Sequence, residues 1–201
     1  DLGAQPLFDL HAPPAVAQRD GDGALGRVLA DDIAVQLADD LPRREGGRDL
    51  DGGIARRGLA LTQADVAVIT NLSADHFGEY GIDSVADLAE LKLVVARVVS
   101  GRGLLVLNAD DDVLMATADR LPHVKNARRA LFAASADHPA LGALRARDGA
   151  TCGARAGRLV LDHAGTSHDL GAIDDLPLTF NGAASYNGMN LAAAALAAVA
   201  G

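Results

Sequence analysis

The sequence is poor in aromatic residues, cysteine and lysine. Phe, Tyr and Trp make up 3% of its 201 residues, so aliphatic side chains must fill the core of a chain that is 49% hydrophobic. A single cysteine, Cys152, excludes a disulfide within the chain and is typical of a reducing compartment. Only two of the 18 basic residues are lysines, Lys92 and Lys125. Because arginine fills the other basic positions, each lysine is a candidate for a role that arginine cannot perform.

The sequence also lacks an excess of positive charge and a long apolar run. Its 18 basic residues stand against 27 acidic ones, a net charge of −9, which argues against nucleic acid as a partner because phosphate contacts need clustered Lys and Arg. The longest apolar run, residues 191–200, is about half of what a bilayer requires. No export signal pattern is present. We therefore expect a cytoplasmic protein with neither a nucleic-acid nor a membrane partner.

What the sequence does contain is an alternation of apolar runs with helical periods. Three short, almost wholly apolar runs are predicted as buried strands: about residues 66–70, 104–107 and 130–134. Helices are predicted between them, one over 84–99 with Ser84 as its N-cap and one over 113–121. Such alternation is typical of a parallel sheet with right-handed crossovers. The expected fold class is α/β, a mostly parallel sheet with flanking helices.

The periodicity changes after residue 150. Short segments such as 158–162 and 166–170 are separated by turn residues, which predicts a small antiparallel β portion. Residues 185–200 carry an Ala and Leu face and are predicted to form one helix.

The first 58 residues differ from the rest in their proline and glycine content. We treat residues 1–58 as a poorly defined N-terminal segment and residues 59–201 as the folded central domain. Within the segment, apolar residues at helical spacing predict a helix over about 24–41, which Pro42 would end.

One glycine motif in that segment has two interpretations. Gly21, Gly23 and Gly26 match the G-x-G-x-x-G pattern, in which glycines let the backbone approach a pyrophosphate. That interpretation requires a preceding strand, and the two prolines at 13–14 precede the motif instead. A plain glycine-rich loop is the alternative to a dinucleotide site, and to the oxidoreductase that such a site would indicate.

A polar loop follows the first predicted strand and contains Asn71, Asp75 and His76. Ligands bind outside the carboxyl ends of parallel strands, so this is a suitable place for chemistry. A histidine beside an aspartate can bind a metal, act as a base or cap a turn. The sequence alone leaves these three roles open.

Lys92 lies in the middle of the apolar stripe of the helix predicted over 84–99. Leu88 and Ala96, four residues away on either side, belong to that stripe. The side chain could extend along the helix and keep its ammonium in water. Alternatively, since an ammonium is costly to bury, Lys92 could be a neutral amine that reacts with CO2 to form a carbamate and hold a metal. A guanidinium could not do this, which favours the second interpretation.

Several segments together resemble the central domain of the Mur ligases, and within that family the Mur-type half of cyanophycin synthetases. They occur in the family's order over about residues 50–201: Gly52 to Leu59, the stretch from Ala64 to Asp83 with its Gly-Glu-Tyr-Gly-Ile-Asp ending, the Leu-Lys pair at 91–92, Leu107 to Asp111, and Tyr186 to Ala194.

The resemblance implies an ATP-dependent ligase that joins a carboxylic acid to an amino acid through an acyl phosphate. It implies ATP and Mg²⁺ as cofactors and small-molecule acid and amino acid substrates as partners. Transferred to this sequence, His76 would bind magnesium and Lys92 would be the carbamylated, catalytic lysine of the metal site. Asn187 and Asn190 would contact adenine, and Asn71 would begin the loop of the metal ligand.

The sequence departs from the family at two points. The Gly-Thr-x-Gly-Lys-Thr phosphate loop does not occur in it, and Arg48 stands where a magnesium-binding Glu is expected. We therefore expect an incomplete ligase with little turnover of its own, either assembled as a homo-oligomer or completed by domains supplied in trans. The alternative is a noncatalytic Mur-like α/β module for assembly or weak nucleotide binding.

Overall fold

A single sheet of eight strands forms the centre of the fold. The computed structural model describes residues 27–30, 33–37, 63–72, 83–176 and 185–199. Within them each strand lies beside the next one in the chain. The strands are β1 Arg27–Ala30, β2 Ile33–Leu37, β3 Ala64–Ile69, β4 Val99–Asn108, β5 Arg129–Ser135, β6 Thr151–Arg155, β7 Arg158–His163 and β8 Thr166–Ala172.

Five α-helices and two short 3₁₀ segments occur in the described part of the chain. The helices are α1 Val85–Lys92, α2 Asp112–Arg120, α3 Pro122–Lys125, α4 Pro139–Arg145 and α5 Ser185–Ala198. The 3₁₀ segments are Leu93–Arg97 and Ile173–Asp175. None of these helices is both long enough and apolar enough to span a membrane.

The middle of the sheet is parallel and both of its sides are antiparallel. Strands β3, β4, β5 and β6 run in one direction. The β1–β2 hairpin joins β3 in antiparallel fashion, and β7 and β8 continue antiparallel from β6. The predicted α/β class, its three parallel strands and its small antiparallel portion are confirmed. β6 is a fourth parallel strand that the sequence did not separate from the antiparallel portion.

The two faces of the sheet bury different elements, because side chains alternate along each strand. Ile69, Leu107 and Leu131 pack on the face covered by α1, the 3₁₀ segment after it, α2, α3 and α4. Val106 and Phe132, which are adjacent to Leu107 and Leu131 in their strands, pack on the opposite face beneath α5. Successive right-handed crossovers that each advance one strand place their helices on the same face, which explains why α1 to α4 lie together.

The helix predicted over residues 24–41 is wrong. Strands β1 and β2 occupy the middle of that range and pair with each other, and β2 also pairs with β3. Val28, Ile33 and Val35 are β-branched and favour extended backbone, and β2 can extend the sheet beside β3. The spacing of the apolar residues is compatible with a helix and with a pair of strands.

The helix predicted over 84–99 is correct at its start and too long at its end. Ser84 is the N-cap of α1 and accepts a hydrogen bond from the Asp87 amide at 3.1 Å. The Ser84 hydroxyl also donates to the Asp87 carboxylate and thereby lowers the pKa of Asp87. The α-helix ends at Lys92, a 3₁₀ segment continues to Arg97, and β4 begins at Val99. Valines at 94, 95, 98 and 99 disfavour further helix.

The other predicted helices agree with α2 and α5 to within about two residues. The glycine motif at 21–26, the histidine at position 76 and Arg48 lie outside the described residues, so the predictions made for them stay untested. The boundary placed between residues 58 and 59 also stays a prediction. Two short helices, α3 and α4, were not predicted, although each begins with a proline, which is a common first residue of a helix.

Candidate active site

Lys92 is wholly buried at the end of α1. Its side chain is 0% exposed, and its Nζ donates to the backbone oxygen of Asn71 at 3.4 Å. Side chains of a helix lean toward its N-terminus, which lets Lys92 reach back toward the carboxyl end of β3. The amine therefore lies at the edge of the sheet where ligands bind in open parallel folds. This burial favours the interpretation of Lys92 as a buried amine over the one that keeps its ammonium in water, whereas its position relative to His76 stays a prediction.

The loop that starts after β3 is held from several directions. Lys92 donates to the carbonyl of Asn71, and Asn108 Nδ2 donates to the carbonyl of Thr70 at 2.8 Å. The amide of Leu72 donates to Asp111 Oδ2 at 3.1 Å. Three consecutive residues thus bond to side chains from α1, from the end of β4 and from the start of α2. Their backbone is fixed before the chain enters residues 73–82.

The ends of β4 and β5 are joined in the same way. Asn108 Oδ1 accepts from the Asp110 amide at 2.9 Å, and Asp110 Oδ2 accepts from the Ala134 amide at 2.6 Å. Ala134 is the residue skipped in the register between β5 and β6, so its amide is not used by that strand pair. Asn108 and Asp110 therefore link the carboxyl ends of three adjacent strands through backbone groups.

Helix α5 brings two amide side chains to the same edge from the opposite face of the sheet. Gly188 lies against Ile173, which follows the end of β8 at that edge. Asn187 is half-buried and Asn190 is exposed. They are three residues apart and so lie on one face of the helix. Both therefore lie in the first turns of α5, near this edge of the sheet.

The described carboxylates at this edge do not form a metal site by themselves. Both oxygens of Asp111 accept backbone amides, as does Oδ2 of Asp110. Across residues 63–72, 83–176 and 185–199, no three His, Cys, Asp or Glu side chains are placed to share an ion.

A family model supplies the deciding comparison. The model of the Mur ligase middle domain matches residues 52–198. The chain belongs to the Mur ligase middle-domain family. Individual relatives agree with this assignment. Cyanophycin synthetases of Synechocystis sp. and of Trichormus variabilis are 35% identical over 147 residues, which cover 73% of this chain and 16% of theirs.

A shorter match reaches a second branch of the family. UDP-N-acetylmuramoylalanine–D-glutamate ligase of Methylococcus capsulatus is 43% identical over 56 residues, 28% of this chain and 11% of that protein. Compared with the cyanophycin synthetases, the chain spans about a sixth of the length of the proteins that it matches. The resemblance drawn from the sequence motifs, to the Mur ligases and to cyanophycin synthetases, is confirmed.

Three further residues belong to the candidate site and were not predicted from the sequence: Asn108, Asp110 and Asp111. Their signal was present, because an Asn and two Asp after a buried strand are typical of loop and N-cap positions. Their hydrogen bonds cross between strands, so they could not be assigned without the strand order.

Proposed function

We propose that this chain forms the middle-domain part of an ATP-dependent ligase that joins a carboxylic acid to an amino acid through an acyl phosphate. The observation that carries the proposal is the buried Lys92 amine at 3.4 Å from the Asn71 carbonyl, at the carboxyl edge of the parallel strands. Membership of the Mur ligase family agrees with this chemistry. The cytoplasmic location expected from the sequence is part of the same proposal.

Lys92 takes up CO2 in this proposal. The lone pair of its neutral amine attacks the carbon of CO2, an N–C bond forms, and one proton leaves to solvent. The product is an N-carboxylate that carries one negative charge and keeps one N–H, which can still donate to the Asn71 carbonyl. A buried amine is thereby converted into an oxygen ligand of the kind that Mg²⁺ prefers. Asn71 fixes the direction in which the new carboxylate points.

Magnesium would be held by the carbamate of Lys92 together with His76, a residue outside the described part of the chain. When bound, the ion would screen the negative charge of the ATP phosphates. The described residues contribute position: Lys92 and Asp111 hold the Asn71–Leu72 peptide, and Asn108 holds Thr70. These bonds fix the start of the loop that leads to His76.

Adenine would contact Asn187 and Asn190 at the start of α5. An amide side chain presents one donor group and one acceptor oxygen, which matches the edge of a purine. Asn187 is half-buried and therefore restricted in orientation, whereas Asn190 is exposed. We expect Asn187 to contribute more to base recognition than Asn190.

A noncatalytic nucleotide-binding module is the second candidate function. It is favoured by one observation, that these 201 residues contain no Gly-Thr-x-Gly-Lys-Thr loop for the phosphates. Without the backbone amides and lysine of such a loop, ATP affinity of this chain should be weaker than about 10 µM. The two candidates differ in whether Lys92 becomes a carbamate and supports Mg²⁺.

The test is calorimetric titration of the chain with Mg²⁺ and ATP, with and without bicarbonate. We expect bicarbonate to strengthen Mg²⁺ binding about tenfold in the wild type and to have no effect in Lys92→Arg, which keeps a cation but cannot carry CO2. Asn187→Ala should weaken ATP binding about 5- to 20-fold, whereas Asn126→Ala, an exposed asparagine after α3, should not. Equal Mg²⁺ affinity with and without bicarbonate would favour the noncatalytic module.

A further inference from the structure

The peptide group between Asn71 and Leu72 is held at both of its polar atoms. Its carbonyl oxygen accepts from Lys92 Nζ at 3.4 Å, and its N–H donates to Asp111 Oδ2 at 3.1 Å. A peptide group is planar and rigid, so fixing one of its ends fixes the other. The position of the carbonyl that receives Lys92 is therefore set in part by Asp111.

Asp111 serves two elements at once. It is the N-cap of α2, and its Oδ1 accepts from the Leu114 amide at 2.9 Å. Its second oxygen is the acceptor for Leu72, 39 residues earlier in the chain. Helix α1, which carries Lys92, packs against α2. One carboxylate thus connects the start of α2 to Leu72, just after the end of β3.

We propose that Asp111 is a positioning residue for Lys92. It does not contact the amine itself. It holds the Asn71–Leu72 peptide so that the carbonyl faces Nζ, and thereby keeps the Lys92 amine, or the carbamate formed on it, in one orientation at the carboxyl edge. This inference rests on the proposed role of Lys92, because only a reacting or ligating amine requires a fixed direction.

The carboxylate of Asp111 is needed for both bonds, which permits a selective variant. In Asp111→Ser the hydroxyl can still cap α2, since serine is among the preferred N-cap residues. It is too short and has too few oxygens to accept from Leu72 as well. Ser84→Ala is the matched control, because it removes the N-cap of α1, the helix of Lys92, and does not touch residues 70–72.

The chemical reactivity of Lys92 can be measured against that of Lys125, since these two residues are the only lysines of the sequence. Lys92 is buried and Lys125 is exposed. The folded full chain is treated with an amine-reactive acetylating reagent, and peptides cut at arginine are quantified by mass spectrometry. Residues 58–97 and 121–128 form two such peptides, each with one lysine.

In the wild type we expect Lys92 to react at least about 100-fold more slowly than Lys125, because it reacts only when the loop opens. Asp111→Ser should raise the Lys92 to Lys125 ratio about tenfold, as expected for the loss of a hydrogen bond to an ionised group. Ser84→Ala should leave the ratio within about twofold of the wild type. Asp111→Asn, which keeps one acceptor oxygen but cannot accept both amides, should change the ratio in the same direction as Asp111→Ser.

The inference is overturned if Asp111→Ser and Asp111→Asn leave the ratio unchanged. It is also overturned if Ser84→Ala raises the ratio as much as they do, since the effect would then be general loosening. The measurement needs no ATP, metal or CO2, so it decides the positioning role separately from the proposed function. Bicarbonate-independent Mg²⁺ binding with a raised ratio in Asp111→Ser would refute carbamylation and leave the positioning contact standing.

Discussion

The carboxyl edge of the parallel strands and the antiparallel end of the sheet use polar side chains differently. At the edge, Asn108, Asp110 and Asp111 bond to backbone groups of neighbouring elements. At the antiparallel end, Arg158 of β7 pairs with Asp169 of β8 at 2.6 Å, and both side chains are about half exposed. The first arrangement fixes loop geometry, whereas the second covers a surface. The same residue types therefore have different consequences: Asn108, Asp110 and Asp111 fix the backbone of other elements, whereas Asp169 bonds to the Arg158 side chain and to the Gly171 amide of its own strand.

Among the variants that test this comparison, Asp111→Ala should cause the largest loss of stability. The change removes the N-cap of α2 and the acceptor for the Leu72 amide. We expect a loss of about 2–4 kcal/mol in the free energy of unfolding, the sum expected for a cap and a hydrogen bond to an ionised group. Urea unfolding followed by circular dichroism measures it. Asp112→Ala, at the exposed neighbouring position, is the control and should cost under about 0.5 kcal/mol. Equal losses of unfolding free energy in the two variants would mean that Asp111 at the edge stabilises the fold no more than an exposed aspartate does.

Cys152 of β6, where the parallel strands meet the antiparallel end, packs in one cluster with Leu159 and Leu161 of β7 and tests whether the core beneath that end excludes water. Burial raises the pKa of its thiol to about 12, from an ordinary value of 9.0. Because the folded state resists ionisation, the thiol's contribution to stability is complete below pH 9 and is lost as pH rises toward 12. We expect wild-type stability to fall by roughly 1.4 kcal/mol per pH unit above 9, relative to Cys152→Ala. Parallel pH profiles of the two proteins would show that the thiol is accessible to water.

The smallest effect should come from Asp169→Asn in the β7–β8 hairpin. The pKa of Asp169 is lowered, first by the hydrogen bond from Arg158 and then by the Gly171 amide. Its contribution to stability is therefore present above about pH 3.8 and is lost as pH falls through the lowered folded value. We expect a small decrease in Tm at pH 7 and low salt that disappears in about 0.5 M salt, because exposed ion pairs are screened. A decrease that persists in high salt would mean that the hairpin pair is structural, like the contacts of the edge.

Features that depend on one element could be predicted from the sequence, whereas features that depend on contacts between elements could not. The central strands were predicted because strands buried on both faces are continuous apolar runs, as in Val66 to Ile69. The burial of Lys92 followed from its place among Leu88 and Ala96, although the α-helix ends there and a 3₁₀ segment continues. Periodicity within one element was sufficient in both cases.

Predictions that depended on neighbouring elements failed or were not made. Strands β1 and β2 were predicted as a helix because β3, the strand on which their hairpin joins the sheet through β2, is distant in sequence. The role of Asp111 was missed because its second oxygen accepts from the amide of Leu72, which follows a different strand and lies 39 residues earlier in the chain. An N-cap is a local signal, but the use of its remaining oxygen is decided by tertiary structure.

The central claim, that the buried amine of Lys92 becomes a carbamate at the carboxyl edge, is tested most directly by ¹³C NMR in ¹³C-bicarbonate. The wild type should show one protein carbamate resonance that disappears when bicarbonate is removed or the pH is lowered. Lys92→Arg should lack that resonance, while Lys125→Arg, the matched change at the exposed lysine, should keep it. Absence of the resonance from the wild type, or its loss only in Lys125→Arg, would contradict the account.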